Sequence, residues 1–139
     1  MQWTSEDLNK WEELRPYVDT ALLPIYFYQS AVAIPTHALQ MAYLTNIAAA
    51  LERRLKGRML LYPLRYQMAE EQAELMAPDA FPFYVVLHFG GQPVRVRSVN
   101  EASKVAYLAI SNEELDSELR FAITVDVLYQ EILALWQKR

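Results

Sequence analysis

The sequence predicts an α/β fold, in which a small, mostly parallel or mixed sheet of about four strands is flanked by helices and followed by a long C-terminal amphipathic helix. Apolar runs alternate with stretches of helical periodicity, and this order is typical of right-handed crossovers between parallel strands. The runs Ala21–Tyr28 and Phe83–Phe89 are almost continuously apolar, as expected for strands buried on both faces. A chain of 139 residues is expected to form one globular domain over residues 1–139.

The first predicted helix begins after Thr4. Thr4 is a suitable N-cap, and Asp7 makes an acidic variant of the capping box. The helix is expected to continue until Pro16, which ends it. Because aromatic residues at helical spacing usually pack, Trp3 and Trp11 are predicted core residues, with ligand stacking as the alternative.

The next strand and helix occupy a stretch, residues 20–51, that contains no charged side chain. Polar residues and two prolines interrupt it, so we expect a buried strand and a packed helix rather than a membrane span. Pro24 is expected in the first turn of the strand or at a sheet edge. Thr36 is expected to cap a helix that runs to about Lys56, with Gly57 as its C-terminal stop. The buried stripe of this helix is predicted to be Leu44, Ile47, Ala48, Leu51 and Leu55.

The second half is predicted to contain two further helices and three strands before the last helix. These elements are a strand Arg58–Tyr62, a helix Ala69–Met76, a strand Phe83–Phe89, a strand Val94–Arg97 and a helix Ala102–Ala109. The turn Gly90–Pro93 predicts that the last two strands form an antiparallel hairpin. Ser111 and Glu114 form a capping box that is expected to open the last helix.

The last helix has two apolar sides. Its broad arc is predicted to be Phe121, Val125, Leu128, Ile132, Leu135 and Trp136. Ile123 and Val127 fall on the opposite, polar side, where an exposed apolar pair is typical of a contact with another chain. We therefore predict Ile123 and Val127 as interface residues, either for self-association or for a protein partner.

Composition excludes several classes of function. The chain has 13 Lys and Arg against 17 Asp and Glu, a net charge of −4, whereas nucleic-acid binders usually carry a basic excess. It has no cysteine and no signal-peptide pattern at its start, which favours a cytoplasmic location. Only His37 and His88 could act as nitrogen ligands, and no phosphate loop, nucleophile elbow or zinc motif is present. We therefore predict no metal and no cofactor.

One group of side chains is predicted to lie at a ligand site. Ligands of parallel sheets bind beyond the carboxyl ends of the strands, and the predicted strands end near Ser30, Arg65, Tyr66 and His88. The arginine could pair with an anion and the histidine could transfer protons. The alternative is that Arg65 is a solvated loop residue and His88 a hydrogen-bonded strand residue. No catalytic residue is predicted, since no nucleophile, base and orienting group are fixed together.

Two N-terminal segments and the last helix carry a resemblance to a known family. The first segment is Met1–Trp3 leading through Tyr17–Pro24, and the second is Leu51–Arg58 running into Met59–Pro63. Together with the closing helix that ends in Trp136, they resemble the YpiF-like proteins of Bacillus and its relatives, a domain of unknown function. The resemblance implies a small cytosolic protein of a Firmicutes bacterium. It implies no activity and no catalytic residue.

The sequence thus supports two functions. The favoured one is a non-catalytic interaction module that binds a protein partner or a second copy of itself. The alternative is a small-molecule binder or enzyme that acts on an anionic ligand at the carboxyl ends of the strands. Neither function involves nucleic acid or insertion into a membrane.

Overall fold

The computed structural model describes residue 1 and residues 4–71, 74–98 and 100–137. It has the predicted α/β fold, with a parallel sheet and a long C-terminal helix. The helices are α1 (Ser5–Leu8), α2 (Trp11–Leu14), α3 (Ile34–Arg54) and α4 (Glu118–Gln137). The strands are β1 (Thr20–Tyr28), β2 (Met59–Leu61), β3 (Arg65–Met68), β4 (Leu75–Met76), β5 (Phe83–Phe89), β6 (Val96–Arg97) and β7 (Lys104–Ile110). A 3-10 turn covers Ala69–Glu71.

Strand β1 lies at the centre of the main sheet. The strand order is β2–β1–β5–β7, and β3 continues beside β1 where β2 has ended. All of these pairs are parallel, and Thr20 lies opposite both Met59 and Phe83, so three strands begin at the same level. Strands β4 and β6 form a separate parallel pair. The carboxyl ends of β1, β3, β5 and β7 therefore face one edge of the sheet.

Pro24 lies inside this central strand, so the expectation of a first-turn or edge position was wrong. The Leu22 carbonyl accepts a hydrogen bond from the Tyr62 N–H at 3.0 Å, which shows that Leu22 faces the β2 side. Pro24, two residues further, faces the same side. There β2 has ended and β3 begins only opposite Ile25. The proline fits because the N–H it lacks would have had no strand partner.

Two layers of apolar side chains cover the two faces of the sheet. On one face Leu22, Tyr26 and Phe89 pack against α3 and α4, and the predicted stripe of α3 is buried there, as expected. On the other face Leu23 and Tyr84 belong to a second core that reaches the β4–β6 pair. We call these the helix face and the second face.

The N-terminal prediction is confirmed only for its cap. The Asp7 N–H donates to the Thr4 hydroxyl at 3.1 Å, but the chain leaves the helix at Asn9 and resumes it as α2. Asparagine favours such an exit because its side chain competes for backbone hydrogen bonds. Trp11 is half-buried rather than a core residue, and Trp3 lies outside the described residues.

Three elements of the second half differ from the predictions. Where a helix was predicted over 69–76, the described residues form a 3-10 turn, Ala69–Glu71, and β4; residues 102–109 contain most of β7 instead of a helix. Leu108 and Ile110 are buried at a spacing of two residues, which is the pattern of an edge strand. The predicted hairpin is also wrong: β1 and β7 occupy both sides of β5, so the segment after the turn pairs with β4.

Two predicted helix starts were displaced. Helix α3 begins at Ile34 with Pro35 in its first turn, so Thr36 lies inside the helix and does not cap it. Helix α4 begins after Ser117, whose hydroxyl accepts the Arg120 N–H at 3.1 Å, and not at the Ser111 capping box. Gly57, the predicted stop of α3, has a φ of 98°, a left-handed value that suits glycine.

The charge-free stretch forms β1 and α3, as predicted. Within the described ranges, no helix combines the length and the apolar character needed to cross a membrane.

Candidate functional site

The four residues predicted to hold a ligand lie on both faces of the sheet. Tyr66 is opposite Tyr26 and therefore on the helix face, with 62% of its surface exposed. Arg65 is opposite Ile25 and lies on the second face, where its guanidinium donates to the Met76 carbonyl at 2.9 Å. Ser30 is exposed in the loop that follows β1. Arg65 is also the first residue of β3, so it lies away from the carboxyl end of that strand.

His88 is buried near the end of β5. Its Nδ1 lies 2.8 Å from the Phe89 carbonyl, and its ring contacts Tyr107 edge-on at a centroid distance of 6.3 Å. Pro24 pairs with Leu87, so the next residue of β1, Ile25, lies beside His88 of β5. Ile25 also pairs with Arg65 of β3 on its other side, so the three side chains form a row on the second face. Two strand spacings separate the backbones of Arg65 and His88, about 10 Å. The structure thus brings Arg65 and His88 into one row, and it leaves Ser30 and Tyr66 outside that row.

A buried polar network that was not predicted links β1 to α3 on the helix face. The Tyr26 hydroxyl lies 2.5 Å from Nδ1 of His37 and 2.7 Å from the Gln40 side-chain oxygen. The Nε2 of His37 lies 2.7 Å from the Gln29 carbonyl, and the Tyr28 ring stacks on the imidazole at 3.9 Å. Burial, and secondarily the neighbouring Tyr28, raises the pKa of Tyr26.

The partners of His37 indicate the direction of the hydrogen bonds in this network. The Gln29 carbonyl can only accept, so Nε2 of His37 carries a proton. The Tyr26 hydroxyl donates its proton to the Gln40 side-chain oxygen, and its own oxygen contacts Nδ1 of His37. Every buried polar atom of the trio has a partner in this arrangement. The network therefore joins the carboxyl end of β1 to the first turns of α3, and it is a structural feature rather than an open reaction site.

Replacing Tyr26 with phenylalanine is expected to lower the free energy of unfolding by about 1–3 kcal/mol, because Nδ1 of His37 loses its buried partner. Urea denaturation would measure the loss. Tyr66→Phe is the control, since the exposed Tyr66 ring should lose almost nothing. A loss at Tyr26 no larger than the loss at Tyr66 would contradict this account.

The same variant predicts a change at alkaline pH. The raised pKa of Tyr26 means that the folded state holds the phenol proton more tightly than the unfolded chain does. Its contribution to stability is complete below the usual tyrosine pKa of about 10 and is lost as the pH rises above that value. Tyr26→Phe should therefore show a smaller loss of stability above pH 10 than the wild-type protein.

A second network closes the amino end of β1. The Trp136 indole N–H donates to the Thr20 hydroxyl at 2.8 Å, and that hydroxyl donates to Asp19 at 2.9 Å. The Arg58 guanidinium bonds both Asp19 oxygens at 3.0 and 3.1 Å and lies 3.9 Å above the indole ring. These contacts hold the last turn of α4 against the start of the sheet.

The outer side of α4 is apolar and exposed. Leu119, Ile123 and Val127 expose 72%, 52% and 50% of their surfaces, and Ala134 is also exposed. Intervals of four, four and seven residues place all four side chains on one side of the helix. We call this row the α4 stripe. The opposite side packs on the sheet through Leu128 and other core residues, so Ile123 and Val127 have the exposed position that the sequence predicted.

The part of the chain that the structure describes contains no group of three or more side chains able to hold a metal ion. Comparison with curated proteins gives no match, and comparison with solved structures gives none either. One family model, described as a protein of unknown function (DUF2487), matches residues 9–79. This segment includes β1 to β4 and α3. Because it spans just over half of the 139 residues, the chain belongs to the DUF2487 family.

Proposed function

We propose that this protein is a non-catalytic interaction module that pairs with a second copy of itself through the α4 stripe. The observation that carries the proposal is the row of large aliphatic side chains on the side of α4 that faces away from the sheet. Ile123 and Val127 remain half-exposed although the same helix buries a full apolar arc. Contiguous exposed apolar surface rimmed by polar residues is typical of protein interfaces.

The charges beside the α4 stripe favour an antiparallel pair about a two-fold axis. Arg120 and Glu131 are about three helical turns apart, so they lie along the same side of the stripe. When two copies of a helix pair antiparallel about a two-fold axis, the side of the stripe that carries Arg120 and Glu131 faces the same side of the partner helix. An axis near Asp126 would set Arg120 close to the partner's Glu131, and Leu119 close to the partner's Ala134. Arg120 is available because its own ion pair with Glu114 is long, at 3.5 Å, and exposed.

Replacing Ile123 with aspartate is expected to convert the dimer to a monomer. An unpaired carboxylate in the centre of the contact costs several kcal/mol, so the dissociation constant should rise by more than about 100-fold. Sedimentation equilibrium over a range of concentrations would measure it. Leu39→Asp is the matched control, because Leu39 on α3 is exposed to 51%, close to the 52% of Ile123.

A charge exchange tests the geometry. Arg120→Glu and Glu131→Arg should each weaken the dimer, and the double variant should regain it because both contacts are restored with reversed sign. A wild-type chain that stays monomeric at high concentration, or an Ile123→Asp variant that still dimerises, would refute self-association. In that case capture of a different protein by the same stripe would be the next hypothesis.

We also propose that the chain is a YpiF-like protein of a Bacillus-type bacterium that acts in the cytoplasm as one domain. The segments quoted for the resemblance support the first part, and the absence of cysteine fits a reducing compartment. The single-domain proposal is supported by the central sheet, since both apolar cores share β1 and β5.

The alternative, an anionic ligand at the carboxyl ends of the strands, has weaker support. Arg65 and His88 share one row, but the guanidinium already bonds the Met76 carbonyl, and the His88 ring is buried. Tyr66 lies on the opposite face. A ligand there would have to compete with these contacts, which the α4 stripe does not require.

A further inference from the structure

A cleft of about 770 Å³ lies on the second face of the sheet, remote from the α4 stripe and from the carboxyl ends of the strands. Leu60 and Tyr62 form its base together with Phe81, which contacts Tyr62 edge-on at 6.2 Å. Leu8 and Trp11 line the opposite side. Its volume lies within the range of about 300–1,000 Å³ that small-molecule sites occupy.

One wall of the cleft is held rigidly. The Tyr84 side chain is fully buried beneath the loop formed by residues 78–82. Its hydroxyl accepts the Phe81 N–H at 3.0 Å and shares its one proton between the carbonyls of Pro78 and Asp79, at 3.0 and 2.9 Å. Asp79 has a φ of 58°, a left-handed value that costs a non-glycine residue about 1 kcal/mol or more. A wall fixed in this way need not be ordered when a ligand binds.

The other wall is the segment that precedes β1 and contains α1 and α2, and we call it the arch. Hydrogen bonds fix the arch at its two ends. The Met1 ammonium donates to the Met59 carbonyl at 2.6 Å, and the Leu61 N–H donates to the Met1 carbonyl at 2.7 Å. At the other end the Asp19 N–H donates to the Arg58 carbonyl at 3.1 Å. Between these anchors the described residues form α1 and α2, each a single turn, which has little stability by itself. The arch can therefore adjust to a ligand while its ends stay in place.

The polar groups at the rim select the charge of the ligand. The Asp79 carboxylate is engaged, because it accepts a hydrogen bond from the Tyr62 hydroxyl. Two described lining residues carry a positive charge, and the Met1 ammonium is already paired with Glu52. The other is Arg15, whose pair with Glu12 is long, at 3.8 Å, and exposed. Such a pair contributes little and can be replaced by another carboxylate. The apolar base and the aromatic rings of Trp11 and Phe81 suit a hydrophobic body.

We propose that this cleft binds a small organic acid, with an aromatic or aliphatic body between Trp11 and Phe81 and a carboxylate on Arg15. The site is separate from the α4 stripe, so it does not depend on the proposed dimer. The probe is 2-naphthoate, and its uncharged counterpart is 2-naphthalenemethanol, which has the same ring system without the charge. Isothermal titration calorimetry on the full chain would measure both dissociation constants.

Four results are expected from this titration. Naphthoate should bind saturably and about two- to fivefold more tightly than the alcohol, because a pair with an exposed guanidinium contributes up to about 1 kcal/mol. Arg15→Gln should remove that difference while leaving the affinity for the alcohol unchanged. Leu8→Glu, at a residue with 69% exposure that tolerates a charge, should weaken both probes by placing a carboxylate at the apolar wall. Arg53→Gln on the exposed side of α3 is the matched control and should change neither affinity.

Other results would overturn the proposal. No saturable heat with naphthoate, or equal affinities of the wild-type and Arg15→Gln proteins for naphthoate, would reject the cleft as an acid site. Loss of binding in Arg65→Ala with full binding in Arg15→Gln would instead place the acid beside Arg65 on the second face of the sheet.

Discussion

Replacing Trp136 with alanine is expected to lower the free energy of unfolding by about 3–5 kcal/mol, which is the range measured for truncation of large buried aromatic residues. The side chain is 8% exposed, its N–H bonds Thr20, and its ring lies beneath the Arg58 guanidinium. Truncation removes the buried ring, its hydrogen bond to Thr20 and its contact with Arg58, and it leaves a cavity between the last turn of α4 and the sheet. Chemical denaturation monitored by circular dichroism would measure the change.

Two smaller changes separate packing from hydrogen bonding at this position. Trp136→Phe keeps most of the apolar volume, whereas Thr20→Val keeps the indole and removes its acceptor. Each should cost about 1–3 kcal/mol, and the double variant should cost less than their sum because the two residues share one hydrogen bond. Tyr129→Ala, at a partly buried position on the same helix, is the comparison. A Trp136→Ala loss no larger than that of Tyr129→Ala would contradict the predicted role.

Replacing Glu52 with leucine is expected to cost about 3–5 kcal/mol, because it leaves a buried positive charge without its partner. The Glu52 carboxylate pairs with the Met1 ammonium, and the two groups are exposed to only 3% and 7%. The ammonium cannot leave its site easily, since the Met1 backbone is also bonded to β2. Thermal and urea denaturation of the variant would show the loss.

The control for this prediction is a carboxylate of the same type at the surface. Glu113→Leu in the exposed segment before α4 should change stability by less than about 0.5 kcal/mol. Glu52→Gln keeps the shape and the hydrogen-bonding oxygen, so its cost should fall between those of the two leucine variants. If Glu52→Leu is as stable as the wild-type protein, the buried pair does not hold Met1 against β2.

The sequence was sufficient to predict elements whose patterns do not depend on their neighbours. Strand β5 was predicted to the residue, and the buried stripe of α3 was predicted in full, because continuous apolar runs and helical spacing are local properties. Strand β7 was predicted as a helix because the sequence from Ala102 to Ala109 is compatible with a helix as well as with a strand. The free edge of β5 decides the outcome, and that edge exists only once the sheet has formed.

The candidate sites also differ in whether local sequence patterns are enough to predict them. The exposure of Ile123 and Val127 follows from helical periodicity alone. The contact between Tyr26 and His37 depends on how α3 lies on β1, which no spacing in the sequence specifies. The cleft beneath α1 and α2 depends on two loops from distant parts of the chain, and the usual rule for parallel sheets directs attention to the opposite ends of the strands.

The bond between Trp136 and Thr20 joins residues that are 116 positions apart in the chain. Synthesis at about 5–20 residues per second leaves a delay of roughly 6 to 23 s between the two residues on the ribosome. Strands β2, β3 and β5 follow β1 during that delay, but α4, which completes the cover of the helix face, is synthesised only at its end. The growing chain therefore carries an incompletely covered hydrophobic strand until α4 has been made. Chaperones that bind nascent chains are expected to raise the yield of folded protein in the cell.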